Sequence, residues 1–150
     1  MKKFLITIIS LCLLLMCITI NVSASSATPT QNKHYYIRNV KTGKYLTVVD
    51  YVSNEKANLV QQTLNYYSWQ CFQLSNKTTI NGLVYFEIIS DDLHTQLRVD
   101  VENVNNSDGA NIQVYKRNPS FISAQRFSFI SNGDGTYRIK LQLISDKALD

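Results

Sequence analysis

Asp100, Gln113 and Tyr115 are side chains whose types and spacing could do chemistry together. Asp100 lies between Val99 and Val101, Gln113 follows it by thirteen residues, and Tyr115 stands two residues further on. An alternating strand presents Gln113 and Tyr115 on one face. A carboxylate accepts up to about four hydrogen bonds and a primary amide both donates and accepts. A phenol ring adds an apolar face at low entropic cost. Such a set recognises a ligand rather than transforming one. The competing structural reading is that Asp100 caps a turn and Tyr115 is an ordinary core or surface aromatic.

The rest of the chain offers little for catalysis. His34 and His94 are the only histidines, and neither belongs to a nucleophile elbow or a histidine metal motif. Paired acids for glycoside hydrolysis need a rigid cleft and a set separation. The acids Asp50, Glu55, Glu87, Asp91, Asp92, Asp100, Glu102, Asp108 and Asp134 fall mainly in turns. Calcium held by Glu102 and Asp108 is conceivable, but the spacing does not match a twelve-residue calcium loop. The tract Val101 to Gly109 therefore reads as a solvated loop. The expectation is a non-catalytic binding module with no cofactor and no metal.

The elements that position these groups sit in one domain. The chain has 150 residues, 45% hydrophobic and 17% charged, with 5 Gly and 2 Pro, which excludes collagen-like, low-complexity and largely disordered classes. Lys2 and Lys3 precede an apolar run from Phe4 to Val22, and Val22-Ser23-Ala24 is a small-residue cleavage signature. Residues 1–24 read as a secretory signal peptide, residues 25–34 as a short linker and 35–150 as the folded domain. A retained membrane anchor is the competing reading. Cleavage leaves no membrane span and predicts a secreted, extracellular protein. The formal charge of +4 falls when Lys2 and Lys3 leave, which argues against a general nucleic-acid partner. Cys12 and Cys17 leave with the same segment, so Cys71 has no partner for an internal disulfide. Its strand alternation leaves its face open. Burial and pairing with a second chain are the two readings.

Beyond Thr30, short apolar stretches alternate with polar turns, an all-β pattern. Strands are expected at Tyr35–Val40, Tyr45–Val49, Leu59–Leu64 and Trp69–Leu74, with a Gly43 turn between the first two. The series then recurs. Ala57-Asn58-Leu59 matches Ala110-Asn111-Ile112, Leu46-Thr47-Val48 matches Val99-Asp100-Val101, and Asn65 matches Asn118, all at an offset of 53 residues. Gln70-Cys71-Phe72 matches Gln125-Arg126-Phe127 at 55, and a third copy opens at Tyr137-Arg138-Ile139 and reaches Ala148-Leu149-Asp150. Such small units cannot each bury an apolar face alone. Three of them around a pseudo-threefold axis share one core. A propeller is the competing repeat architecture.

These motifs resemble the ricin-type β-trefoil lectin family. The Gln-x-Phe elements, the opening element Ile37 to Leu46 and the middle element Gly109 to Tyr115 carry the resemblance, which covers Tyr35 to Asp150. It implies a β-trefoil with subdomains at about 35–80, 81–132 and 133–150, the last one incomplete. It also implies a glycan partner, bound in shallow pockets on individual subdomains. There an Asp accepts hydrogen bonds from sugar hydroxyls, an aromatic ring stacks on the pyranose, and amides complete the set. Carried onto this sequence, the second copy supplies Asp100, Gln113 and Tyr115. Ala124 stands where the family has Asn, and Asn118 offers a substitute amide. Asp150 falls in the Asp register of the third copy. The first copy has Thr47 at that register, Gln61 or Gln62 near the Gln position, and Trp69 in place of Asn. It reads as a structural subdomain, with Tyr66 and Tyr67 as a different platform. The alternatives to a sugar-binding module are a trefoil that binds protein, as an inhibitor or toxin-complex component, and a degenerate fragment without sugar binding.

Overall fold

The computed structural model describes residues 29–49, 55–91, 96–144 and 146–149. Residues 1–24, read above as a signal peptide, lie outside the described residues, as do Asp50, His94 and Asp150. Among those described, nine strands form: β1 His34–Tyr36, β2 Tyr45–Val48, β3 Leu59–Gln62, β4 Cys71–Ile80, β5 Leu83–Ser90, β6 Arg98–Val101, β7 Ile112–Tyr115, β8 Arg126–Ser131 and β9 Tyr137–Leu141. Seven of them join in one antiparallel sheet in the order β1-β4-β5-β6-β7, with β8 pairing both β5 and β9, while β2 and β3 form a separate hairpin. The fold is all-β, a β-trefoil of internal repeats.

Local chemistry fixes the turns. Asn81 and Gly82 both take positive φ, 50° and 79°, and join Ile80 to Leu83, which pair directly. This is the Asn-Gly combination whose backbone twist matches paired strands. At Gly43, φ is +70°, and an added Cβ would come within 3.2 Å of the Arg38 guanidinium. The Asn39 side chain closes that turn by accepting from the Thr42 N–H at 3.0 Å.

The repeats are visible as repeated hydrogen bonds. Val49 N–H donates to Asn58 carbonyl at 2.9 Å, and 53 residues later Glu102 N–H donates to Asn111 carbonyl at 3.0 Å. Leu46 N–H donates to Ile37 carbonyl, and in the third copy Leu149 N–H donates to Ile139 carbonyl, both at 2.9 Å. The equivalent residues Asn58 and Asn111 meet side chain to side chain at 2.8 Å. Alternate strand residues point inward. Phe72 and Leu74, Phe86 and Ile88, Val99 and Val101, with Phe127 and Leu141, form the buried core, and Leu46 packs on its margin. Leu46, Leu59, Val101, Ile112 and Leu149 from the three copies converge on an open depression of about 690 Å³.

Three expectations need correction. The strand expected from Trp69 begins at Cys71, because Ser68–Gln70 forms a single 3-10 turn. The strand expected over Tyr35–Val40 spans His34–Tyr36, with a further bridge from Arg38 to Tyr45. Glu87, grouped with the turn acids, lies in mid-strand on β5 and is completely buried. Cys71 is half-buried beside Asp91. Burial first, then the Asp91 charge and hydrogen bond, push its thiol up to about 11, so the neutral thiol prevails and nucleophilic reactivity is low.

Glu87 ties the second copy together. Its carboxylate accepts from Asn76 Nδ2 at 2.8 Å, Arg98 Nε at 3.2 Å and Arg117 Nε and Nη2 at 3.2 Å. Asn76 reaches it from the bulge that interrupts the β4–β5 register between Ser75 and Thr78. Burial alone would push this carboxyl up. The hydrogen bonds from Arg117, Asn76 and Arg98 outweigh it and hold the group below its ordinary value. A lowered folded-state value contributes stability above the unfolded carboxylate range, and that contribution disappears as the pH falls through the folded value. Glu87→Ala is expected to cost about 3 kcal/mol at pH 7, because Arg98 loses its buried partner, and the difference from wild type should shrink in acid. Urea melts at pH 7 and pH 3 test this. Equal midpoints at pH 7 would contradict the assignment.

Candidate functional site

Each of the first two copies is organised by a glutamine whose amide is wholly buried. Gln70 and Gln125, the first residues of the two Gln-x-Phe elements, have no exposed surface. Gln70 Oε1 accepts from Asn65 N–H at 2.8 Å, while its Nε2 donates to Thr63 carbonyl at 2.9 Å and Thr47 Oγ1 at 3.0 Å. Gln125 Oε1 accepts from Asn118 N–H at 2.9 Å, and its Nε2 donates to Lys116 carbonyl at 2.8 Å. The Gln125 amide also helps to hold the nearby Asp100 carboxyl down. Two separate loops are thus closed by the same bonds, with loop partners 53 residues apart and glutamines 55 apart. The sequence signal was the motif itself, but its role as a loop clamp was not part of the expectation.

In the second copy this clamp borders Asp100 and Gln113. The two residues face each other in the β6–β7 register, and Gln113 Nε2 donates to Asp100 Oδ1 at 2.9 Å. Asp100 is 7% and Gln113 4% exposed. Burial raises the Asp100 carboxyl above its ordinary value. The hydrogen bonds from Gln113 and Gln125 offset part of that rise, and the Glu102 charge adds to it. Tyr115 follows Gln113 on the same strand face, half-exposed, with Lys116 Nζ 5.7 Å from its ring centroid. Lys116 also pairs with Glu55 at 3.4 Å. Asn118 is brought to the site by its backbone N–H bond to Gln125. Ala124, in the family's Asn position, is buried and supplies no amide.

The first copy fills the same frame differently. Thr47, in the register of Asp100, faces Val60. The one-residue ambiguity between Gln61 and Gln62 is thereby resolved in favour of neither. Gln61 pairs opposite Leu46 and accepts from the Thr42 hydroxyl at 2.7 Å, and Gln62 pairs opposite Tyr45. The Thr47 hydroxyl donates to Tyr45 carbonyl at 2.9 Å and accepts from Gln70. The first copy therefore has neither the carboxylate nor the amide of the second. Asp108, on the Asn-rich loop, pairs with Lys147 at 2.8 Å, and Lys147 also donates to Asn106 carbonyl at 2.8 Å. The Asn-rich loop is thus tied to the third copy. Among the described residues no cluster of His, Cys, Asp and Glu could hold a metal ion, and no helix is long and apolar enough to cross a membrane.

Comparison with known proteins agrees with this geometry. No curated protein matches the sequence significantly. Among solved structures, the designed threefold-symmetric protein ThreeFoil is similar, with a TM-score of 0.67 and 28% identity over 78% of this chain and 77% of its own. The exo-β-1,3-galactanase 1,3Gal43A from Clostridium thermocellum is similar at a TM-score of 0.64 and 26% identity, over 79% of this chain. A mosquitocidal holotoxin shares the fold at a TM-score of 0.65 and 20% identity, over 81% of this chain. This chain spans only 24% of the galactanase and 14% of the toxin. The profile of the ricin-type β-trefoil lectin domain-like family matches residues 21–115. With the duplicated Gln-x-Phe clamps and the three-copy core, that match over most of the sequence shows that the chain belongs to the ricin-type β-trefoil lectin family, whose domains bind carbohydrate without catalysis.

Proposed function

We propose that this carbohydrate-binding trefoil is exported after cleavage behind Ala24 and recognises a pyranose sugar chiefly through its second copy. Asp100 anchors adjacent sugar hydroxyls, Gln113 adds an amide, Tyr115 stacks on the apolar sugar face, and Asn118 lies at the rim. By sequence match, Asp150 is the counterpart in the third copy. The partner is a glycan, soluble or at a cell surface.

The observation that carries this reading is a contrast between the copies. Thr47 faces Val60 in one copy where Asp100 faces Gln113 in the other. The fold therefore accepts an uncharged pair in this register. A buried carboxylate whose ionisation the fold opposes is a liability to stability, and its retention beside an amide and an aromatic ring suits a ligand with several hydroxyls.

The proposal predicts opposite signs for affinity and stability in Asp100→Asn. The raised folded-state value means that the ionised form is disfavoured by folding. That penalty grows as the pH rises through the unfolded value and is complete above the folded one. Asp100→Asn should therefore melt higher than wild type at pH 7, with the gain vanishing near pH 3. Its affinity for the best glycan from an array should fall by about 1.5–3 kcal/mol, the scale of a charged hydrogen bond, or roughly one to two decades. Tyr115→Ala should also weaken binding, and Tyr115→Phe should change it little. Calorimetric titration and thermal melts read both quantities. Unchanged affinity in a folded Asp100→Asn variant would remove the site.

A further inference from the structure

The first copy, although stripped of the carboxylate and amide, carries a cluster of exposed aromatic rings. Tyr36 is 41%, Tyr66 74% and Tyr67 52% exposed. Tyr36 and Tyr66 meet edge to face with centroids 5.9 Å apart, and Tyr67 stacks on Trp69 at 4.2 Å with planes 23° apart. Adjacent Tyr66 and Tyr67 link the two pairs. β1 delivers Tyr36 opposite Cys71, two residues past Trp69.

We propose that these four rings form a second glycan-binding platform, distinct from the Asp100 pocket, that takes an extended neutral oligosaccharide by stacking. The inference rests on the reading of the chain as a glycan binder. Three observations support it. The loop is held in place before any ligand arrives, by the Gln70 amide on Asn65 and Thr63, by Tyr67 N–H on Asn65 Oδ1 at 3.3 Å and by Gln70 N–H on Tyr67 carbonyl at 3.0 Å. Tyr66 keeps a left-handed backbone, φ 62°, a conformation that a bulky residue adopts at a cost. The fold does not need the rings, because the second copy closes the same clamp with Pro119 and Ser120 after Asn118 and with Ala124 before Gln125.

The occupant follows from charge and shape. The segment from Thr63 to Gln70 contains no ionisable acid or base apart from the tyrosine phenols, so nothing in it selects an anion or a cation. Two ring pairs offer more stacking area than one pyranose covers, and aromatic faces meet sugar C–H groups without needing a particular hydroxyl pattern. This favours chain length over sugar identity, the reverse of the Asp100 pocket.

Trp69 is the only tryptophan in the sequence, which makes its fluorescence a private reporter of this platform. The test titrates the exported chain with neutral β-linked gluco- and galacto-oligosaccharides of increasing length. Affinity read at Trp69 should rise with length and fall about tenfold in Tyr66→Ala and in Tyr67→Ala. It should survive in Asp100→Asn. A Trp69 response that disappears in Asp100→Asn would overturn the second platform by merging it with the first site. If Asp100-dependent binding persists while no oligosaccharide moves Trp69, the platform alone is overturned. If neither response occurs, the glycan reading itself fails.

Discussion

The whole arrangement depends on a primary amide that has been taken out of water. Gln70 and Gln125 are wholly buried, and an unpaired amide there costs about 1–3 kcal/mol for each orphaned group. Each amide meets its needs from a loop N–H and a loop carbonyl, and Gln70 also from the Thr47 hydroxyl. The loop cannot relax without orphaning the amide, and the amide cannot leave without opening the core behind Phe72 and Phe127. A local polar debt is thereby converted into a fixed loop conformation, which is what a shallow recognition surface requires.

One clamp can then support two different surfaces. In the second copy it borders a buried carboxylate and amide, with an aromatic ring at the edge. In the first copy the same register holds Thr47 and Val60, and the clamped loop carries tyrosines instead. The Glu87 cluster acts on a different face, joining β4, β5, β6 and the Arg117 loop. It resembles a catalytic acid only in its burial. Its pairing with two arginines holds it ionised and leaves it no proton to give at neutral pH.

The repeat and the all-β class were legible because period-two alternation and a constant offset survive in the residues themselves. The bonded pair Asp100 and Gln113 was legible for the same reason, since thirteen residues of separation span one hairpin. Register within the first hairpin was not. A slip of one residue exchanges the two faces, and only the Thr47–Val60 pairing decides that Gln61 and Gln62 lie off the site. Trp69 reads as a strand residue by type. The 3-10 turn there is closed by the Gln70 N–H on Tyr67 carbonyl and ends in a buried side chain, a tertiary setting that propensity does not carry. Glu87 was misplaced because what makes its burial tolerable comes from Arg98 and Arg117, eleven and thirty residues away.

The most direct test of this account replaces each clamp by an apolar side chain of similar size. Gln125→Leu and Gln70→Leu, each verified as folded by circular dichroism, are titrated with glycan while the Asp100-dependent and Trp69-reported responses are followed separately. The account predicts a double dissociation: Gln125→Leu loses the first response and keeps the second, and Gln70→Leu does the reverse. Full retention of both responses in both folded variants would contradict the claim that these buried amides position the recognition surfaces.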